Sequence, residues 1–243
     1  MFIEAGVCVA VFVSMLLYFP AKPPTPPSVS ASKKRVDYRR GVFTLLRKYQ
    51  VFAIGVPYAL TGVYGSWMSL LGVILQDKVS QDEAAYLGFW SSIAGILVAV
   101  LFARISDLFA GHLKAAVLIL LFVSAGSYTW FAALIETFVL PPVPGWIAMT
   151  YISIILGGIC EIALQPFGLE LACEASYPVA EGVTAGLLTA LYNGVAVIFF
   201  FSFMIPQVDI QYMNWVLVAA VVVSIPLTIS YRESYRRLSL DSR

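Results

Sequence analysis

Long apolar stretches alternate with short polar stretches along almost the whole chain. Each apolar stretch has about the 20 residues that an α-helix needs to cross the hydrocarbon core of a bilayer. The pattern therefore predicts an all-α membrane protein with seven transmembrane helices. We number these predicted spans one to seven, at residues 2–19, 51–75, 86–103, 115–135, 146–169, 182–205 and 211–231.

The composition agrees with this class of protein. Hydrophobic residues make up 60% of the chain and charged residues 12%, with a mean hydropathy of +0.87, whereas charged residues make up about a quarter of a soluble domain. The first apolar stretch carries Glu4 where a signal peptide has basic residues, and no cleavage site of small residues follows Pro20. We therefore expect it to be a membrane span that is retained.

The pattern divides the chain into four parts. Residues 1–20 form the first span, 21–50 a proline-rich and basic loop, 51–231 a bundle of six helices, and 232–243 a polar tail. Basic and apolar residues are interleaved from Asp37 to Gln50, as in an amphipathic helix on a membrane surface. Nucleic-acid binding is not expected, because no separate soluble domain carries the basic block.

The basic residues predict the orientation of the chain. If the loop at 21–50 is cytosolic and the spans alternate from there, every one of the 15 lysine and arginine residues except Lys78 lies in a cytosolic segment. Basic residues concentrate in the cytosolic loops of membrane proteins. The N-terminus is therefore predicted to lie outside, or in a lumen, and the tail in the cytosol.

Glu161 is an ionisable residue inside predicted span five. At helical spacing it shares a stripe with Ser153, Gly157, Gln165 and Gly168. A charged group in hydrocarbon is costly, and burial favours the neutral form of a carboxyl group. Glu161 is therefore either a proton carrier facing the interior of the bundle or a hydrogen-bonded packing residue, and the sequence leaves both open.

Two other spans carry candidate substrate-binding residues. Glycines and Pro57 interrupt span two, where Tyr58, Tyr64 and Trp67 accompany a face of small residues. That face indicates either close helix packing or a cavity whose aromatic side chains stack on a substrate. Span six carries Thr189 and Asn193 on one stripe, and we expect the Asn193 amide to be buried against a neighbouring helix or a ligand.

Two predicted cytosolic segments contain further charged residues. The loop after span three has the acidic, glycine and basic pattern of the major facilitator loop motif in degenerate form, with groups that can bridge helix ends: Arg104, Asp107, Gly111 and Lys114. A solvated acidic joint is expected at 170–182, carrying Glu170, Glu174 and Glu181.

Several kinds of chemistry have no support in the sequence. Cys8, Cys160 and Cys173 have no paired spacing, and His112 has no ligand-type neighbour. No nucleophile, base or metal cluster indicates an enzyme. We therefore expect no cofactor and no metal ion.

An internal symmetry favours a transporter. Spans two to four and five to seven can be paired as two three-helix repeats, and the first helix of each repeat is interrupted by glycine and proline. Interrupted helices in corresponding positions of two repeats indicate a binding site near the membrane midplane.

Six short segments spread over the chain resemble one transporter family: 18–28, 79–81, 88–91, 169–171, 177–184 and 232–241. On these residues the chain resembles the C-terminal half of a major facilitator transporter of solute carrier family 49. The resemblance implies a twelve-span fold of which spans six to twelve are present, residues 1–20 being equivalent to span six. It assigns no role to Glu161.

The resemblance also implies a function. It implies proton-linked movement of a small organic solute, such as a pyridoxine-like metabolite, across the lysosomal membrane or alternatively the plasma membrane. The partners expected are the lipid bilayer, the solute, protons, and either a missing N-terminal half or another copy of the chain. The alternatives are a truncated, non-transporting protein that associates with a partner half, and a seven-helix receptor, whose motifs at the ends of spans three and seven are absent.

Overall fold

A computed structural model describes residues 2–18, 36–76, 78–105, 111–136, 144–205, 210–235 and 237–241. The regular structure of these residues is entirely helical. In chain order the helices are α1 Phe2–Leu17, α2 Tyr38–Arg47, α3 Tyr49–Ser69, α4 Leu71–Ile74, α5 Gln81–Ile105, α6 Leu113–Glu136, α7 Trp146–Ser176, α8 Glu181–Phe203, α9 Tyr212–Ser230 and α10 Leu238–Asp241. The proline-rich segment and Asp107 lie outside the described residues.

Local sequence signals account for several helix ends. Before α5, Ser80 and Glu83 form a capping box, in which the Glu83 backbone N–H donates to Ser80 Oγ at 3.2 Å and the Ser80 N–H donates to Glu83 Oε2 at 3.1 Å. Gly145, with a φ of 82°, supplies the left-handed residue before α7. Gly111, with a φ of 87°, does the same before α6.

The described chain divides into two compact units. One comprises Met1–Lys34 with Arg237–Arg243 and contains the single long helix α1, and the other comprises Arg35–Arg236. The second unit is a bundle in which α3, α7, α6 and α9 pack in a closed ring, each against the next. α5 packs outside the ring on α7, and α8 packs outside it on α3.

This arrangement has the internal symmetry that the sequence suggests. In the first repeat, α3, α5 and α6 correspond to α7, α8 and α9 of the second. The contact of α5 with α7 corresponds to that of α8 with α3, and the contact of α6 with α7 corresponds to that of α9 with α3. Each repeat therefore packs its second and third helices on the first helix of the other, which places α3 and α7 at the centre.

The ends of the helices lie at two opposite sides of the bundle, as expected for spans that cross a membrane in alternating directions. At one end the Lys48 ammonium donates to the Ala175 carbonyl, and Tyr49 OH donates to Ser230 Oγ at 2.8 Å. At the other end Gln211 Nε2 donates to the Ile74 carbonyl at 3.2 Å, and Lys78 Nζ donates to the Ile135 carbonyl at 2.5 Å. The sequence predicts that the first group is cytosolic and the second is outside.

The all-α membrane fold is confirmed, whereas the number of spans stays a prediction. Five described helices are long and apolar enough to cross a bilayer, namely α5 to α9. α1 has only 16 residues, and α3 has 21 residues interrupted by Pro57 and three glycines. α3 is nevertheless one of the most buried helices, because the bundle rather than lipid surrounds it.

One predicted boundary is wrong. From the sequence, the helix of span five is expected to end near residue 169 and to be followed by a solvated acidic joint, but α7 continues to Ser176. Glu174 is only 2% exposed, so it is not part of a solvated cluster. Pro166 does not end α7, since neighbouring helices hold an interrupted span in place.

Candidate functional site

The carboxyl group of Glu161 lies in a polar cluster at the centre of the bundle. Glu161 is 1% exposed, and Ser124 of α6 donates a hydrogen bond from Oγ to Glu161 Oε1 at 2.6 Å. The basic residues of the described spans, Arg104 and Lys114, stand at helix ends. The described partner of the buried carboxyl group is therefore a hydroxyl group and not a cation.

A pair of glycines brings aromatic side chains against α7 beside this carboxyl group. A Cβ on Gly157 would lie 2.6 Å from Cζ of Tyr128, and a Cβ on Gly158 would lie 2.7 Å from the hydroxyl oxygen of Tyr64 and 2.3 Å from Ser91 Oγ. Any larger residue would displace these side chains. The two glycines thus let α3, α5 and α6 each place a hydroxyl group at the α7 backbone, one turn from Glu161.

One hydroxyl group of this cluster, Tyr128 OH, is buried without a hydrogen-bond partner in the part of the chain that the structure describes. Tyr128 is 0% exposed, as is Ser91, whose hydroxyl group lies beside that of Tyr64. An unsatisfied buried hydroxyl group costs about 1–3 kcal/mol. Such groups are rare in proteins and are often functional.

A small cavity of about 10 Å³ borders Glu161. Thr61 and Ser224 supply its polar walls, and Pro57 and Leu121 are among its apolar ones. This volume holds about one water molecule, and a buried water needs two to four polar neighbours. The Thr61 and Ser224 hydroxyl groups already donate to the carbonyls of Tyr58 and Ala220, so toward such a water they could only accept a hydrogen bond.

Trp67 lies next to the cluster and is fully buried. Its indole N–H donates to Asn214 Oδ1 at 2.8 Å, and the Asn214 amide donates to Gln211 Oε1 at 3.0 Å. Its ring meets Tyr128 and Phe131 edge-on, with centroids 5.8 Å and 5.3 Å away. In this structure Trp67 serves packing, the first of the two interpretations that the sequence leaves open for span two.

Tyr58 occupies a second location, nearer the predicted cytosolic end. A Cβ on Gly168 would lie 3.2 Å from Tyr58 Cδ2, and the rings of Tyr58 and Tyr192 have centroids 6.5 Å apart. Gln165, one turn before Gly168, is half-buried. We call Tyr58, Gln165, Gly168 and Tyr192 the tyrosine face; it is partly accessible and combines aromatic and amide groups.

The expectation of a buried Asn193 is wrong. Asn193 and Thr189 are exposed on α8, and Asn193 Nδ2 donates to the Thr189 carbonyl of its own helix at 2.7 Å. No neighbouring side chain fills the space beside Gly186 or Gly194 of the same helix. The stripe faces away from the other helices of the bundle, because α8 packs only one side on α3.

The loop with the major facilitator pattern is described in part. The Arg104 side chain and Asp107 lie outside what the structure describes. Lys114 Nζ donates to the carbonyls of Ile229 at 2.8 Å and Tyr231 at 2.6 Å, so it bridges the start of α6 and the end of α9. Gly111 provides the turn before α6.

The tail completes this bridge. The backbone N–H groups of Leu113 and Lys114 donate to Tyr235 OH at 2.9 Å and to Glu233 Oε1 at 3.0 Å, so the tail caps the start of α6. Desolvation, together with a hydrogen bond to Glu233, raises the pKa of Tyr235. Its hydroxyl group therefore stays protonated and donates to Glu233 while accepting from Leu113.

The structure thus places the seven predicted substrate-binding or coupling residues in separate regions. Tyr64 and Glu161 meet in the polar cluster, Trp67 adjoins it, Tyr58 and Gln165 belong to the tyrosine face, and Thr189 and Asn193 lie on the outer side of α8. Sequence reasoning missed Ser91, Ser124 and Tyr128. The signal for the last two was present, since Ser124 and Tyr128 stand four residues apart in a strongly apolar span.

Comparison with known proteins identifies relatives of the whole chain. A solute carrier family 49 member 4 homologue of Xenopus laevis is 36% identical over 99% of this chain, and its Xenopus tropicalis counterpart is 35% identical. The choline/ethanolamine transporter FLVCR1 of Mus musculus is 27% identical over 77% of the chain, which corresponds to 34% of the length of FLVCR1. No family model matches the chain.

These relatives and the fold define an integral, multi-pass membrane protein, and the named relatives are transporters rather than enzymes. The chain belongs to solute carrier family 49, and it matches the C-terminal half of the member 4 homologues. It spans 53% of the length of the Xenopus laevis relative.

Proposed function

We propose that the chain is the C-terminal half of a major facilitator carrier that moves a small organic solute across a membrane. The observation that carries the proposal is the similarity of 99% of the chain to about half of each member 4 homologue. In such carriers two bundles rock against each other and each supplies one wall of the site. The α3–α7 centre would be one such wall.

The chemistry of the tyrosine face is suited to binding a small aromatic or cationic solute. Tyrosine rings bind organic cations through cation–π contacts and stack on flat heterocycles. A pyridoxine-like metabolite, or an amine like those in the printed name of FLVCR1, presents such chemistry. The Gln165 amide would hydrogen-bond the polar groups of the solute. We propose the lysosomal membrane as the site of action, with the plasma membrane as the alternative.

Glu161 is the proposed proton carrier of this half. Its hydroxyl partner Ser124, the small cavity beside it and its distance in sequence from any basic residue support a carboxyl group that changes protonation state rather than one held in an ion pair. The unsatisfied hydroxyl group of Tyr128 supports an alternative hydrogen bond for one of its two states.

Reconstitution tests the half-carrier proposal. Proteoliposomes that contain the 243-residue chain alone should not accumulate radiolabelled pyridoxine or choline above protein-free vesicles under an imposed pH gradient. Co-reconstitution with a matching N-terminal half should produce saturable uptake, because both walls are then present. Saturable uptake by the chain alone would overturn the half-carrier proposal and indicate a self-sufficient oligomer.

Removing the ionisable group tests the proton-carrier proposal. In the two-half carrier, Glu161→Gln should keep expression and folding, since glutamine can still accept the Ser124 hydrogen bond. Its uptake should lose most of its dependence on external pH, because no proton binds at residue 161. Glu170→Gln, on the same helix but near its end, is the matched control and should keep the original profile. An unchanged pH profile in Glu161→Gln would exclude the carrier role.

A further inference from the structure

One face of helix α2 (Tyr38–Arg47) packs against the bundle. Gly41 is buried, and a Cβ on it would lie 3.1 Å from Val179 Cγ1 and 3.8 Å from Val183 Cγ1. Leu45, one turn later, is 2% exposed. Lys48, which joins α2 to α3, donates to the Ala175 carbonyl at the end of α7. The orientation of α2 about its own axis is therefore set by contacts with residues 175–183.

The rest of α2 presents two adjacent edges. Phe43 and Leu46, 65% and 62% exposed, lie opposite the buried Gly41, and at helical spacing the exposed Arg39 lies between them. Arg40 and Arg47 are seven residues apart, which is two helical turns or about 10 Å along the axis, so they share the neighbouring edge. Both are exposed, and the structure gives their side chains no hydrogen bond or ion pair with the residues that it describes.

An apolar edge beside a basic edge is the arrangement of a helix at the surface of a bilayer. The apolar side chains enter the acyl region while the arginines remain at the depth of the phosphate groups. The guanidinium group binds phosphate oxygens through paired hydrogen bonds. Tyr49 and Phe52, at the start of α3, are further exposed aromatic residues that follow α2 in the chain.

We infer that the outer side of α2 is a binding surface for anionic phospholipid, in which Arg40 and Arg47 hold the headgroup phosphate and Phe43 and Leu46 contact the acyl chains. The acidic side chain nearest in sequence is Asp37, at the start of α2 on the other side of Arg40 from Arg47. The surface is independent of the proposed transport site, since it uses none of its residues.

Native mass spectrometry of the full chain in detergent micelles tests this inference, with dioleoyl phosphatidylserine and dioleoyl phosphatidylcholine as probes. A basic residue near an anionic membrane surface contributes about 1 kcal/mol, so the Arg40→Gln/Arg47→Gln variant should bind phosphatidylserine about 30-fold more weakly. Its affinity for phosphatidylcholine, whose headgroup has the same phosphate but no net negative charge, should fall much less. Equal phosphatidylserine affinity in this variant and the original chain would overturn the inference.

Three controls separate lipid recognition from other causes. Arg232→Gln removes one exposed charge from the same end of the bundle and should leave phosphatidylserine affinity within about twofold. Arg40→Lys/Arg47→Lys keeps the charge but loses the paired hydrogen bonds, so its affinity should fall less than that of the glutamine pair; a loss as large as that of the glutamine pair would overturn recognition by charge. Glycerophosphoserine, a headgroup without acyl chains, should compete poorly; full competition at the same concentration would indicate a soluble-anion site instead.

Discussion

Replacing Trp67 by alanine should lower the free energy of unfolding of the bundle by about 3–5 kcal/mol. The indole is fully buried between α6 and α9, and its removal opens a cavity beside Tyr128 and Phe131. It also leaves the Asn214 carbonyl oxygen without its donor. Thermal and denaturant unfolding in detergent micelles, followed by circular dichroism, would measure the loss.

Trp90→Ala is the matched control for this substitution. Trp90 lies on α5 and is 52% exposed, so the same change of side chain should alter stability by only about 0.5 kcal/mol. Trp67→Phe separates the two contributions, because the ring contacts remain while the donor to Asn214 is lost, at a cost of about 1–3 kcal/mol. Equal losses in Trp67→Ala and Trp90→Ala would contradict the packing role described for Trp67.

Gly62→Ala should also destabilise the bundle, although it adds a single methyl group. The new Cβ would lie 2.5 Å from the backbone carbonyl oxygen of Tyr192, so α8 would have to move away from α3. Overpacking of this kind costs about 1–3 kcal/mol. The same unfolding experiment measures it, and cross-linking between cysteines at the α3–α8 contact would report the displacement.

Gly194→Ala is the control for Gly62→Ala, because it should raise the stability of the bundle rather than lower it. Gly194 lies on α8 with nothing within 4 Å of an added Cβ, so alanine should stabilise α8 by up to about 1 kcal/mol through helix propensity. Gly65→Ala should fall between them, since its Cβ would meet the movable hydroxyl end of Tyr192 at 2.6 Å. If Gly62→Ala left the free energy of unfolding unchanged, α8 would not lie as close to α3 at Gly62 as it does in the structure.

The membrane class and the position of most helices could be predicted from the sequence. Crossing a bilayer imposes a long apolar run on each span, and that requirement is visible in one dimension. The repeat relation of α3, α5 and α6 to α7, α8 and α9 was also visible in the sequence, because glycine and proline interrupt α3 and α7, the first helix of each repeat. Glu161 could be singled out because a lone carboxyl group in an apolar helix is conspicuous.

The surroundings of Glu161 could not be predicted in the same way. Ser124, Tyr128, Ser91 and Tyr64 are far from Glu161 along the chain, and only the packing of α3, α5 and α6 against α7 brings them together. A face of small residues on one helix does not say which partner approaches it. In the bundle, the side chains of Tyr128 and Tyr64 pack against Gly157 and Gly158. No side chain packs within 4 Å of the Cβ position of Gly186 or Gly194.

The same distinction separates residues that looked alike in the sequence. Trp67, Asn193 and Glu174 are each polar or amphipathic groups at helical spacing, and the sequence determined only that they lie on helices or beside them. The tertiary structure decided that Trp67 and Glu174 are buried and that Asn193 is exposed. Helical periodicity defines which residues share a face of a helix, but whether that face meets protein or lipid depends on which helix packs beside it.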